Sequence, residues 1–220
     1  MQGAIGFGAA LVVVPFLGLV APEALPATVI IWAMPLVVAM ALRERHGVDW
    51  SGVGWMTFGR LPGVAVGAWV VSAVAADTLS VLAGCAVLLA VITSLIATTV
   101  RVTRTTKTAA GFVSGVMGTA TSIGGPPLAL LYQHHQGVVL RSTLAATFVV
   151  GIVLTLGGLA VAGAVEGWHV LLALALLPGQ AAGLAISRSV TRHLDERWLR
   201  HAILTVVSVT AAVAIGNGLV

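Results

Sequence analysis

Long apolar stretches joined by short connections constrain this chain more than any other feature. They run from Pro26 to Leu42, Trp50 to Val74, Thr78 to Val100, Ala109 to Gln133, Ser142 to Gly163, Trp168 to Ser187 and Leu199 to Leu219, with a partial one from Gly3 to Val20. A helix needs roughly 20 apolar residues to cross about 30 Å of hydrocarbon, and most of the stretches reach that length. Hydrophobic residues make up 59% of the chain and charged ones 8%, a composition that no soluble domain can carry on its surface. The alternation of a membrane barrel, in segments of about ten residues, is missing. The expectation is an all-α, polytopic helical membrane protein without soluble domains. Met1-Gln2 offers no basic n-region and no small-residue cleavage site follows, so no cleavable signal peptide is expected.

Two glycine-rich places inside these stretches cannot hold a regular helix. One is Gly3-Ala4-Ile5-Gly6-Phe7-Gly8; the other runs from Gly115 through Gly118-Thr119-Ala120-Thr121-Ser122-Ile123 to Gly124-Gly125-Pro126-Pro127. Backbone groups freed by such breaks find no water in hydrocarbon, so breaks persist where backbone lines a cavity or meets a ligand. Both places read as the broken helices of a transporter.

The formal charge is +4 and the pI is near 10.6, yet the eleven Lys and Arg are scattered through the connections. They report topology, and no nucleic-acid partner is expected. If Ala109 to Gln133 crossed the membrane fully, Arg141, Arg188, Arg192, Arg197 and Arg200 would fall opposite Arg43, Arg45, Arg101, Arg104 and Lys107. If the segment dips in and returns at Gly124-Gly125-Pro126-Pro127, all ten lie on the cytoplasmic side, and Glu23, Asp77 and Glu166 lie opposite. The positive-inside rule selects the re-entrant arrangement.

A repeat is visible as well. Leu61-Pro62-Gly63-Val64-Ala65-Val66-Gly67 matches Leu177-Pro178-Gly179-Gln180-Ala181-Ala182-Gly183, Ala27-Thr28 matches Ala146-Thr147, and Asp49-Trp50 matches Gly167-Trp168, at separations of 116 to 119 residues. Internal duplication explains a nearly constant shift. Each half then holds one broken hairpin and three crossings, and an odd number of crossings inverts the second half against the first. The expected organisation is a first transmembrane repeat over 1–100, a basic cytoplasmic linker over 101–108 and a second repeat over 109–220. By this match the first hairpin lacks its leading arm, since about 15 residues before the second break have no counterpart ahead of Gly3.

The candidate site collects at the breaks. Gly118, Thr119, Thr121, Ser122, Gly124 and Gly125 offer hydroxyls and backbone N–H groups near a helix start, and Pro126 and Pro127 stop the preceding helix. Gly6, Phe7 and Gly8 form the first copy. The bland alternative is that the glycines allow close packing and the hydroxyls bond to their own backbone. Arg60 is the one Lys or Arg placed inside a membrane segment, where a charge is a functional candidate, and its planar fork suits an oxyanion. Snorkelling or pairing with a carboxylate is its bland reading. Gln180, Thr28 and Thr147 are polar groups that reach either the cavity or a neighbouring helix. The pairs Gly63 with Gly67 and Gly179 with Gly183 have small-xxx-small spacing and read as packing positions. His134 and His135, adjacent and without an acidic partner, read as a solvated loop. Cys85 stands alone, so no disulfide, cysteine-based metal site or redox site is expected. Trp50, Trp55, Trp168 and Trp198 sit near segment ends, as an interfacial belt does.

The glycine run from Gly3 to Gly8 leading to Pro15, the mid-chain Gly111-Phe112-Val113-Ser114-Gly115-Val116-Met117-Gly118 leading to Ile123-Gly124-Gly125-Pro126-Pro127, and the duplicated halves resemble the TauE/SafE family of sulfite exporters. The resemblance covers essentially the whole chain. It implies a multi-pass secondary transporter of the prokaryotic cytoplasmic (inner) membrane for small sulfur-containing anions such as sulfite, sulfoacetate or related organosulfonates. Export driven by an ion gradient is the direction it implies. The partners are then a small anionic substrate, the lipid bilayer and a coupling proton or sodium, with a homo-oligomer left open. No enzyme activity, catalytic residue, metal or cofactor is expected, and no phosphate-loop motif is present to supply ATP drive. The alternative is a transporter or passive channel of the same fold for another small anion or organic acid.

Overall fold

Among the described residues each apolar run forms one helix, except that the mid-chain run forms two. The computed structural model describes residues 8–43, 45–95, 100–135 and 137–190, with residues 209, 212 and 213. Over these the helices are α1 Gly8–Val20, α2 Ala27–Arg43, α3 Trp50–Ala73, α4 Ala76–Leu95, α5 Arg104–Thr121, α6 Gly125–Tyr132, α7 Gly137–Val161 and α8 Gly167–Val190. At 1.5 Å per residue, α3, α7 and α8 each extend about 36 Å, long enough to cross hydrocarbon. Among the described residues α7 also passes on hydropathy by itself, with a mean of 2.3 over its most apolar window. The candidates Gly6 and Phe7, and nearly all of the run from Leu199 to Leu219, lie outside the described residues.

The helix α5 starts earlier than hydropathy suggests, at Arg104 inside the stretch expected as a linker. The cause is a reciprocal cap: Thr106 N–H donates to Thr103 Oγ1 (3.2 Å) and Thr103 N–H to Thr106 Oγ1 (2.8 Å). Two of the backbone donors left open at a helix start are satisfied this way, so charged residues enter the helix without penalty. Likewise α7 begins at Gly137, ahead of the apolar run, and takes Arg141 into its second turn.

The tightest packing joins α3 to α5, side by side and parallel. A methyl group on Gly59 would overlap Thr108 O, one on Gly63 would overlap Phe112 O, and one on Gly111 would overlap Met56 O. Glycine at these positions lets two backbones touch, which is how small residues hold helices together where the hydrophobic effect between them is absent. Gly63 and Gly67 thus serve packing. Gly179 and Gly183, expected to do the same, are exposed and meet no neighbour among the described residues. Spacing permits close approach but does not supply the partner.

The re-entrant expectation is visible in the contacts of one carboxylate. Lys107 near the start of α5 and Tyr132 at the end of α6 both donate to Asp49 Oδ2, each at 2.7 Å. The chain therefore enters on α5, breaks over Ser122–Gly124 and returns on α6 to the level where it began. Asp49 caps α3 through Gly52 N–H (2.8 Å), and its own N–H donates to Thr143 Oγ1 of α7 (3.0 Å). Four helix ends meet here, close to Arg104, Lys107 and Arg141. At the other end His169 lies between Glu23 O (3.3 Å) and Glu166 N–H (3.0 Å), so those acidic residues share the opposite face.

Two apolar clusters bracket the break. Val14, Leu17, Leu25, Val29, Val87 and Ile123 pack above it, on the Glu23 side. Met56, Leu128, Leu131, Tyr132 and Leu144 pack below, toward Asp49. Between them lies the one place where polar groups gather deep in the bundle.

Candidate functional site

Arg60 sits in the middle of α3, 5% exposed, and α5 and α7 shape its surroundings. On α7, Gly151 has no side chain where the guanidinium lies: a Cβ there would overlap Cζ of Arg60, with Nη1 and Nη2 also in contact. On α5, Ser114 Oγ accepts from Arg60 Nη1 (3.2 Å) and donates to Gly124 O (2.6 Å). The serine thus ties the arginine to the broken backbone, as a further donor to the carbonyl of the residue that caps α6. Arg60 Nε has no hydrogen-bond partner. Among the described residues the one ion pair is Lys107 with Asp49, so no carboxylate there balances Arg60. Snorkelling and pairing, its bland readings, are both absent from this geometry.

An unbalanced guanidinium in a low-dielectric interior is costly, and a polar group buried without a partner adds to that cost. Arg60 lines a cavity of about 80 Å³. One water needs roughly 10–15 Å³ of such space, so the cavity suits a group of a few heavy atoms. Its polar side is Arg60, Gly118, Ser122, Gly124, Gly125 and Thr155; Ala10, Val29, Ile30, Ala33, Val37, Phe148 and Ile152 form the apolar side.

The break itself has a defined chemistry. Ser122 ends α5 in the left-handed region, at φ 62, a conformation that costs a non-glycine residue energy and that clusters at functional positions. Its hydroxyl donates to Pro26 O of the chain entering α2 (3.0 Å). Gly124 caps α6, and its Cα lies close to Gly118. Of the first three residues of α6, Pro126 and Pro127 have no N–H, which leaves Gly125 as the donor at this helix start.

The structure sorts the sequence candidates. Arg60, Gly118, Ser122, Gly124 and Gly125 come together on the cavity wall. Thr119 is fully buried and shares a hydrogen bond with the wall residue Thr155 (3.2 Å), placing it one step behind the surface. Thr121 donates to Met117 O (2.7 Å), the local back-bond foreseen as its bland reading. Pro126 is buried at the start of α6, off the cavity wall, and Gly8 opens α1. Gln180 reaches a neighbouring helix: its amide donates to Trp32 O (3.2 Å), while Trp32 Nε1 donates to Leu176 O (3.3 Å), so the pair joins α8 to α2. Thr147 bonds to Thr143 O (2.7 Å), and Thr28 Oγ1 is buried without a partner. His134 and His135 are exposed. Three residues were not anticipated: Ser114, Gly151 and Thr155. Nothing in sequence marks them, because small and hydroxyl residues are common in membrane helices and their roles come from contacts between helices.

Outside the membrane, Asp49 has its own electrostatics. Burial alone would raise its pKa, but hydrogen bonds from Lys107, Tyr132 and Gly52, with the Lys107 charge, outweigh this and hold it at about 2. The carboxylate stays ionised at any physiological pH.

Comparison with known proteins gives one family: the model described as sulfite exporter TauE/SafE matches residues 1–214. No curated protein and no solved structure compared with the chain matches it.

Proposed function

We propose a substrate and a mechanism from the premise that the chain belongs to the TauE/SafE sulfite exporter family, whose members are membrane transporters. The protein is a secondary transporter that binds a small sulfur oxyanion, sulfite in the first place, in the cavity between α2, α3, α7 and the α5–α6 break. One observation carries the reading: Arg60 is buried, unbalanced by any described carboxylate, and keeps Nε unpaired beside a cavity of about 80 Å³. An anion supplies the missing charge and acceptors together. Gly125 N–H adds a neutral donor, while Ser114 and Gly151 hold the guanidinium in place.

The working organisation is two inverted repeats, over 1–100 and 109–220, joined near 101–108, with the basic face cytoplasmic. In that frame the repeats rock about the anion and open the cavity to either side in turn. Export across the prokaryotic inner membrane, driven by a proton or sodium gradient, is the direction and energy source we assign. The cavity size favours compact anions over organosulfonates with long carbon chains.

The test is labelled sulfite counterflow in proteoliposomes with the wild type and Arg60→Ala. Saturable exchange that the substitution abolishes supports the reading. Exchange that survives it removes Arg60 from the site, and flux without counterflow identifies a channel.

A further inference from the structure

We infer that the site selects singly charged anions and admits sulfite in its protonated form, hydrogensulfite, so that each transported anion brings its own proton. The inference rests on Arg60 as the anion anchor and concerns the charge that the anchor accepts.

Among the described residues, one formal charge, that of Arg60, lines the cavity. The described groups that meet the guanidinium are Ser114 and Gly118 from α5 and Gly151 from α7, all neutral. The opposite wall is aliphatic and aromatic. A cavity of about 80 Å³ holds the volume of only a few waters, so an anion that enters it leaves most of its hydration shell behind. Under these conditions charge number decides. The cost of stripping water from an ion grows with the square of its charge, whereas its attraction to a single guanidinium grows linearly. A monoanion makes the loaded site neutral. A dianion roughly quadruples the desolvation cost, doubles the attraction, and leaves a net negative charge against apolar walls.

The hydroxyls agree with this. Ser122 and Ser114 have their hydrogens committed to Pro26 O and Gly124 O, so their oxygens retain only lone pairs. Ser122 stands on the cavity wall. A protonated ligand oxygen can donate to such an acceptor; a fully deprotonated one meets repulsion there. The donors that remain, the guanidinium Nη hydrogens not given to Ser114 and Gly125 N–H, are enough for one charged end.

The experiment uses anions that do not titrate. Full-length protein in detergent is titrated with methanesulfonate or nitrate as monoanions and with sulfate as dianion at equal ionic strength, with thermal stabilisation as the readout. Labelled sulfite counterflow is then measured across the pH range in which hydrogensulfite loses its proton. We expect the monoanions to bind at least about tenfold tighter than sulfate, a difference of about 1.4 kcal/mol. Half-saturation should stay constant when expressed as hydrogensulfite. Arg60→Ala should abolish both effects, and Arg60→Lys, which keeps one charge, should preserve the order with weaker binding. Sulfate binding as tightly as the monoanions, with Arg60→Ala still abolishing it, overturns the charge selection and leaves the anion site standing. Binding that neither Arg60 variant alters overturns both.

Discussion

The guanidinium of Arg60 occupies the space that a side chain on Gly151 would fill. Two helices are thus coupled by an absence: α3 carries the charge and α7 the vacancy that receives it. Gly151→Ala should expel the guanidinium while leaving the bundle folded, because the rest of the α7 face is unchanged. The expected loss in sulfite affinity is about tenfold or more, the scale of one charge-assisted hydrogen bond at about 1.5–3 kcal/mol. Counterflow at several sulfite concentrations, with size-exclusion profiles as the folding check, measures it. Wild-type affinity in Gly151→Ala would remove the vacancy from the site.

Ser114 links the arginine to the break, and Ser114→Ala removes an acceptor from Arg60 Nη1 and one of the donors to Gly124 O. Leaving a buried donor unsatisfied costs on the order of 1–3 kcal/mol. A lower thermal midpoint together with weaker anion stabilisation is the expected pair of effects. Loss of stability with unchanged anion affinity would confine Ser114 to the fold.

Asp49 tests the closure of the hairpin base. Asn at this position can still cap Gly52 N–H but loses the charge that holds Lys107, whereas Ala loses both, so Asp49→Ala should destabilise more than Asp49→Asn by about the 0.5–2 kcal/mol of an N-cap. The pH dependence has a definite sign. The carboxyl is held at about 2 in the folded protein against 3.8 unperturbed, so its stabilisation is complete above about pH 4 and fades as pH falls toward 2. The gap in thermal midpoint between wild type and Asp49→Asn should narrow over that window; a constant gap would contradict the assignment.

The α3–α5 seam gives a sharper structural contrast. Gly63→Ala and Gly111→Ala place a methyl group on a carbonyl of the facing backbone and should lower the yield of folded protein, whereas Gly54→Ala, with open space round it, should be tolerated. Overpacking of this kind costs about 1–3 kcal/mol or more. Fluorescence-detected size exclusion ranks the three variants, and equal profiles would contradict the close approach.

Much of this architecture was legible before the helices were placed. The runs from Pro26 to Leu42 and from Trp50 to Val74 match α2 and α3 to within a residue, because hydrocarbon thickness leaves little freedom. The hairpin was legible from charge: ten basic residues sort to one side only if Ala109 to Gln133 turns back, and Lys107 and Tyr132 meet at Asp49 as that requires. The start of α5 was obscured because a capping box of two threonines outweighs hydropathy. In the site, Arg60 and the residues from Ser122 to Gly125 stood out as a charge and a break. Gly151, Ser114 and Thr155 did not, since each acts through a residue 36 to 91 positions away: Arg60, again Arg60, and Thr119 respectively. Gln180 was ambiguous for the converse reason: polarity in an apolar run signals a partner without saying which.

Fastened at Asp49 by both feet, the α5–α6 hairpin is mechanically a closed loop. A push on its tip cannot be relieved by sliding one arm past the other along the membrane normal. The displacement has to spread sideways into α3 and α7, the helices that bear Arg60 and Gly151. The two bonds at Asp49 thus anchor both arms of the hairpin to the start of α3, the same helix that bears Arg60.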